Sequence, residues 1–352
     1  MEAVIIAGGL GTRLRPLTDR RPKHLLPVGG VPFLAQQLSK LAQAGVEHVV
    51  LATSYRAEQF LPVFGDGSAY GLQVTYVREE HPLGTGGAIR YAAASLRSGP
   101  DAPVVVLNGD QLSGHDIAAQ AAAFVAGGAD VSLHLIRVDD ARPFGCVPTD
   151  DSGRVTAFLE KSTRPVTSQI NAGCYVFRRA VIDDIPAGRV VSVERETFPT
   201  MLAAGRRVVG HLAQHYWRDV GTPEALVAAS CDLVLGVATS PAYRLPPAER
   251  LVQQGARVAD SADVRGGSVV GPDAVVGPGS VVDASVLMPG VRLGADVAAV
   301  ASVVGTGACV SAGSVLDGAA VGDGAVIGQR CELRGARVAC DEVVPDDTRL
   351  AE

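Results

Sequence analysis

Residues 3–14 read AVIIAGGLGTRL, and the architecture of the first part of the chain follows from them. The all-apolar run AVIIAG (3–8) is the pattern of a strand buried on both faces of a parallel sheet. It runs straight into Gly8-Gly9-Leu10-Gly11-Thr12-Arg13. Glycines at a strand-to-helix turn let backbone N–H groups approach phosphates closely. The turn is neither of the two common glycine fingerprints. GxGxxG counted from Gly9 needs glycine where Leu14 stands, and a P-loop needs a Gly-Lys-Ser/Thr that is absent. Beyond the turn, strand and helix signals alternate. The spacing predicts a helix over 33–43, strands over 48–53 and 72–77, and a helix over 86–96. It then predicts a strand over 103–110 (PVVVLNGD), a helix over 116–126 and a strand over 131–136. This order implies an α/β, Rossmann-like doubly wound mixed sheet with its ligand at the carboxyl ends of the strands.

The rest of the chain follows another rule. Every aromatic residue lies at or before Tyr243, and the last histidine is His215. Aliphatic residues then recur every six positions at Val258, Val264, Val270, Val276, Val282 and Met288, slip in phase, and resume at Val304, Val310 and Leu316 and again at Val321, Ile327 and Leu333. Small residues such as Gly271, Gly277, Gly305, Gly322 and Gly328 follow them. This is the hexapeptide pattern of a left-handed parallel β-helix, in which one coil cannot bury its own face and several must stack. A flexible Gly/Ala linker would show no such period. The expected domains are therefore 1–235, a proline-marked linker 236–256 (Pro241, Pro246, Pro247), and a β-helix over 257–343.

Composition narrows the function classes. The 352 residues carry 31 Lys+Arg against 37 Asp+Glu, a formal net charge of −6, with 47% hydrophobic and 19% charged residues. Such a chain folds and buries a sizeable core. Mild acidity gives no footprint for nucleic acid or an anionic membrane. No apolar run approaches the roughly 20 residues of a membrane helix. The N-terminus lacks a basic leader and reads as a first strand. Six cysteines scattered without CxxC or ligand spacing point to reduced thiols in a cytoplasm and away from zinc.

The glycine turn continues as Arg13-Leu14-Arg15-Pro16-Leu17-Thr18 and then Arg21-Pro22-Lys23-His24-Leu25-Leu26-Pro27-Val28. GGLGTRLRPLT…PKHLLPV resembles the signature of the sugar-phosphate nucleotidylyltransferases. The likeness continues in order through EEHPLGTGGAI (79–89), LNGD (107–110), FG (144–145), FLEK (158–161), INAGCYVF (170–177) and YWRDVGTPE (216–224). It is greatest to the branch that makes GDP-mannose, the mannose-1-phosphate guanylyltransferases. The resemblance implies that a sugar-1-phosphate oxygen attacks the α-phosphorus of a nucleoside triphosphate and that pyrophosphate leaves. Positioning and charge neutralisation carry such a reaction, so it needs cations at the phosphates and carboxylates for Mg2+.

Lysine is scarce, with Lys23, Lys40 and Lys161 the only three. Lys23 and Lys161 fall in motifs where the family uses a compact ammonium that Arg does not replace. Lys40 sits at a polar helix position and reads as a solvated charge. By resemblance, Lys23 contacts the sugar phosphate or the α-phosphate, Lys161 binds the sugar phosphate, and Arg13 braces the pyrophosphate. Ala7, Gly8, Gly9, Gly11 and Thr12 would cradle the nucleotide. Asp110, at a strand's carboxyl end, and Asp219 are the expected metal ligands and complete the catalytic set; an N-cap role is the alternative for Asp110. Gly145, Glu160 and Asn171 would meet the sugar, and Glu194 is either near the sugar or a plain helix carboxylate.

Glu79, Pro82, Gly84 and Thr85 would read the base, a flat ring stacking on the Gly84 backbone. An ionised carboxylate only accepts hydrogen bonds, and guanine offers adjacent N1–H and N2–H₂ donors, so Glu79 favours GTP. The register between Glu79 and Glu80 stays open. His24 reads as structural or solvent-facing. A hexapeptide acyltransferase would need a histidine between coils, and none follows His215. A non-catalytic homologue would have lost Arg13, Lys23 or Asp110. Another sugar or cyclitol phosphate, or dTTP or ATP, remains open, as does a homo-oligomer built through the β-helix.

Overall fold

The computed structural model describes residues 1–159 and 163–351. Its contacts divide the chain into two compact units, Met1–Gly9 with Gln37–Trp217, and Leu10–Gln36 with Arg218–Glu352.

In the first unit, seven strands form one sheet: β1 (Glu2–Ala7), β2 (His48–Thr53), β3 (Gln73–Arg78), β4 (Pro103–Asn108), β5 (Val131–Arg137), β6 (Gln169–Arg178) and β7 (Val208–Leu212). Their order across the sheet is β7-β5-β6-β4-β1-β2-β3. Every pairing is parallel except those of β6, which runs antiparallel to both β4 and β5 and makes the sheet mixed. β1, β2 and β4 are almost wholly buried, as their unbroken apolar runs require. The helix after Leu83 spans Gly84–Ala92 and closes in a 3-10 turn, starting two residues earlier than its spacing predicts. β6 and β7 were not predicted as strands: β6 hides in INAGCYVF, whose Asn and Gly break the period of two, while β7 reads VVGHL.

The second unit contains the β-helix. Its strands form three six-stranded parallel sheets running from Arg250–Val252 to Arg349–Ala351. The coils thus begin inside the segment expected to be linker and continue past residue 343. The first coil takes 18 residues and the later ones 17, because Val252 pairs with Val270 but Val270 with Leu287, Leu287 with Val304 and Val304 with Val321. One face of each later coil is a residue short, which is the phase slip. Leu287, not Met288, therefore takes the stacked position. Fully buried serines form polar columns between coils: Ser285 Oγ donates to Ala299 O (3.1 Å) and accepts from Ser302 N (3.0 Å). Satisfied in this way, they cost little to bury.

The early segment Leu10–Gln36 belongs with the coils. Gln253 Nε2 donates to Gly30 O at 3.3 Å, and helix Pro223–Val234 packs on both the hairpin strand Pro27–Val28 and the first coils. Among the described residues no helix is long and apolar enough to cross a membrane.

Candidate active site

Two groups of the expected residues assemble, one in each unit. In the first unit the glycine turn and Asp110 lie at the carboxyl ends of β1 and β4. β1 ends at buried Ala7, and Gly8 and Gly9 emerge towards solvent. Gly109 N donates to Ile6 O at 3.1 Å, extending the β1–β4 ladder and delivering Asp110 beside the glycine turn. Asp110 is half-buried and accepts from Gln111 Nε2 at 2.9 Å. It caps no helix: Asp116 does so, accepting from Ala119 N at 2.9 Å.

Glu79 follows β3 and is 5% exposed, whereas Glu80 is exposed. Burial pushes the Glu79 carboxyl above its usual range, and a bond from Leu83 N to Oε2 (3.2 Å) opposes this. Oε1 is buried without a partner among the described residues. A Cβ built on Gly8 would lie 3.7 Å from Oε2, so this carboxyl borders the glycine turn.

Gly84 has a stronger reason than base stacking to be glycine. Its φ is +70°, and a Cβ there would come within 2.6 Å of Val191 O. The same carbonyl accepts from Gly86 N at 2.8 Å. Thr85 turns inward, where its hydroxyl donates to Glu194 Oε2 (3.0 Å) and accepts from Val193 N (2.8 Å). Pro82 stays exposed on the loop.

A buried tyrosine links this loop to Asn171. Tyr175 Oη accepts from Asn171 Nδ2 at 2.8 Å and Asn108 Nδ2 at 3.3 Å, and donates to Glu194 Oε1 at 3.3 Å. Nothing in the sequence marks Tyr175, since an aromatic in an apolar run reads as core. Gly145 is buried after the exposed Phe144, whose ring stands edge-on to Trp217 at 5.5 Å. Glu160 and Lys161 lie outside the described residues. Lys40 is not the solvated charge expected: it is half-buried, its Nζ donates to Ser113 O, and burial lowers its ammonium to about 8.

In the second unit Gly11 adopts φ +64° and anchors the signature loop, its carbonyl accepting from Leu14 N (2.9 Å) and Thr18 Oγ1 (2.9 Å). Leu14 is buried, Thr12 and Arg13 face outward, and Lys23 is half-buried on the next turn, its Cβ close to Gly11. His24 is fully buried, as a structural histidine would be. Arg13 Nη2 lies 3.6 Å from Asp219 Oδ2. Gly221 allows this approach, because a Cβ there would collide with both side chains.

A model of the nucleotidyl transferase family matches residues 2–234. The chain belongs to that family. A mannose-1-phosphate guanylyltransferase of Mycobacterium tuberculosis is 56% identical over 260 residues, 74% of this chain and 72% of the relative. A mannose-1-phosphate guanyltransferase of Candida albicans is 36% identical over 66% of this chain and 64% of its own length. Among solved structures, HddC from Yersinia pseudotuberculosis complexed with GMP-PN is similar with a TM-score of 0.56 at 29% identity, covering 65% of this chain and 97% of its own. A putative glucose-1-phosphate thymidylyltransferase from Bacillus anthracis, in complex with a sucrose, gives 0.60 at 26%, covering 65% and 94%. In this nucleotidyl transferase, a metal-binding cluster of three or more His, Cys, Asp or Glu is absent among the described residues. Asp110, half-buried at the carboxyl end of the first unit's sheet, has the hard oxygen donors that a cation such as Mg2+ takes alongside phosphate and water.

Proposed function

We propose that this nucleotidyl transferase joins GTP to mannose-1-phosphate, releasing pyrophosphate and GDP-mannose. The observation that carries the reading is Glu79: a buried carboxyl beside the glycine turn, with one oxygen held by Leu83 N and the other awaiting a donor. Guanine brings two adjacent donors to such a group, whereas adenine and thymine each present a mixed edge. The relatives named as mannose-1-phosphate guanylyltransferases support the same base and sugar.

The incoming phosphate is already anionic near neutral pH, so the chain needs no general base. Gly8, Gly9, Gly11 and Thr12 offer backbone donors to the triphosphate, Arg13 balances the charge that grows on the departing pyrophosphate, and Lys23 neutralises the reacting phosphates. Asn171, steered by Tyr175, and the Gly145 backbone take the sugar, with Glu160 and Lys161 completing that subsite. Asp110 and Asp219 would hold Mg2+, which supplies charge neutralisation at the phosphates. Six unpaired thiols support a cytoplasmic setting. The regular coils offer a face for homo-oligomerisation, and residues 1–235 carry the chemistry.

Pyrophosphate release measured with Mg2+ over a grid of nucleoside triphosphates and sugar-1-phosphates tests this. GTP with mannose-1-phosphate should dominate, and Glu79→Gln should shift the ratio towards dTTP. Dominance of another sugar or cyclitol phosphate would overturn the sugar; an unchanged nucleotide ratio would overturn the role of Glu79.

A further inference from the structure

The signature loop does not stand alone. Five side chains from the last coils reach its residues 13–21. Arg337 Nη1 donates to Arg13 O (2.8 Å) and Arg15 O (3.1 Å), bracketing Leu14. Cys340 Sγ lies 3.6 Å from Pro16 O, Asp341 pairs with Arg20, and Arg21 bonds both Asp323 Oδ2 and, at 3.2 Å, Thr306 Oγ1.

The coils themselves do not call for these residues. Along the sheet that ends at Arg337, the stacked position is Val269, Val286, Val303 and Ala320, all buried, before the ladder breaks its rule with an arginine. Asp323 is the one buried acid of the described coils. Its corner bond to Thr306 N (2.8 Å) is matched by Asp346 to Gln329 N (2.8 Å), which is exposed, so the coil corner does not require burial. A buried carboxylate is costly unless paired, and Arg21 is the pair.

We infer that Arg337 and Asp323 are positioning residues for nucleotidylyl transfer: the β-helix clamps the signature loop and so aims Arg13 at the triphosphate. Both carbonyls of the turn Thr12–Leu14 and its exit are fixed from outside, while the Arg13 side chain itself is 64% exposed and depends on that turn for its direction. The β-helix thereby acts on the reaction and not on assembly alone. The inference rests on the proposed role of Arg13.

The test compares full-length Arg337→Met, which keeps the stem and removes the donors, with Arg337→Lys and with Arg334→Met. Arg334 is an exposed coil residue whose ion pair is with Glu332. Amide hydrogen exchange of residues 11–21 should quicken in Arg337→Met and not in Arg334→Met. The kcat/KM for the nucleoside triphosphate should fall on the order of tenfold, with the KM for sugar phosphate held, because a misaimed group costs rate without loss of fold. Arg337→Lys should recover part of it, and Asp323→Asn should behave like Arg337→Met. Unchanged exchange in the loop, or an equal loss in Arg334→Met, would overturn the clamp. Quickened exchange with unchanged triphosphate kinetics would keep the contact but overturn its role in catalysis. An inactive wild type would instead defeat the proposed function, and the exchange result would still judge the clamp.

Discussion

Tyr175→Phe isolates one hydroxyl, the one bonded to Asn171, the proposed sugar contact. The ring is fully buried, edge-on to Phe198 at 5.2 Å and to Phe177 at 6.1 Å, and phenylalanine keeps both contacts. What goes is the acceptor of Asn171 Nδ2 and Asn108 Nδ2 and the donor to Glu194. Only the Asn171 bond, at 2.8 Å, is short; the other two are 3.3 Å. Deleting one partner strands the other group, at about 1–3 kcal/mol for a buried amide and nearer the low end for one half-buried like Asn171. The two longer bonds add less, so about 2 kcal/mol is expected. That moves the urea midpoint by roughly 1 M for an m-value of about 2–3 kcal/mol/M. Asn171 keeps its bond from Gly173 N (3.0 Å) but loses the tether at its other end. The KM for sugar phosphate should then rise severalfold, while GTP is little affected because Thr85 still holds Val193 N. Urea unfolding followed by fluorescence, with initial rates of pyrophosphate release, reads both quantities. A shifted midpoint with an unchanged KM would show that Asn171 does not touch the sugar. No change in either would refute the energetic reasoning itself.

Asp110→Asn and Asp219→Asn should each abolish metal-dependent turnover while circular dichroism stays native; retained turnover across a magnesium titration would remove that residue from the metal site. Acid should weaken the first unit through His115 and His134, whose rings stack at 3.7 Å. Burial lowers His115 to about 4 and His134 to about 2; Lys40 and His211 add like charge at both, and His115 adds it at His134. The unfolded chain takes these protons below about pH 6.5, the folded one only at the lowered values, so stability is full above that pH and falls as pH drops. For His115 alone the loss approaches about 3 kcal/mol by pH 4. His115→Gln should flatten the dependence of the unfolding midpoint between pH 6.5 and 4; an identical slope would count against the assignment.

Where a structural rule acts at short range, the sequence displays it. The buried parallel strands, the glycine turn and the six-residue aliphatic period each repeat within a few residues, and each was legible. The shortened coil face appears only as a slip, because nothing in Val282–Met288 says which neighbour, Leu287 or Met288, will stack on Val270; the strand pairing decides it. Lys40 and Tyr175 were misread or missed because their partners come from other segments. The clamp is the extreme case: Arg21 and Asp323 are 302 residues apart, and neither stands out in its own motif.

Glu194 shows what the structure adds to chemistry already suspected. In sequence it is a carboxylate in SVERETFP, with a plain helical role as good as any. In the fold one oxygen takes the hydroxyl of Thr85, on the base loop, and the other takes Tyr175, which holds Asn171. The segment before it, ending at Val191, is the main chain that Gly84 and Gly86 approach closely because they carry no Cβ. One short stretch therefore braces both the loop proposed to read the base and the amide proposed to meet the sugar. A change at Glu194 would be felt by both substrates at once, unlike Tyr175→Phe, which leaves Thr85 in place. That difference follows from the wiring: Glu194 bonds both Thr85 and Tyr175, whereas Tyr175 reaches Asn171 but not Thr85.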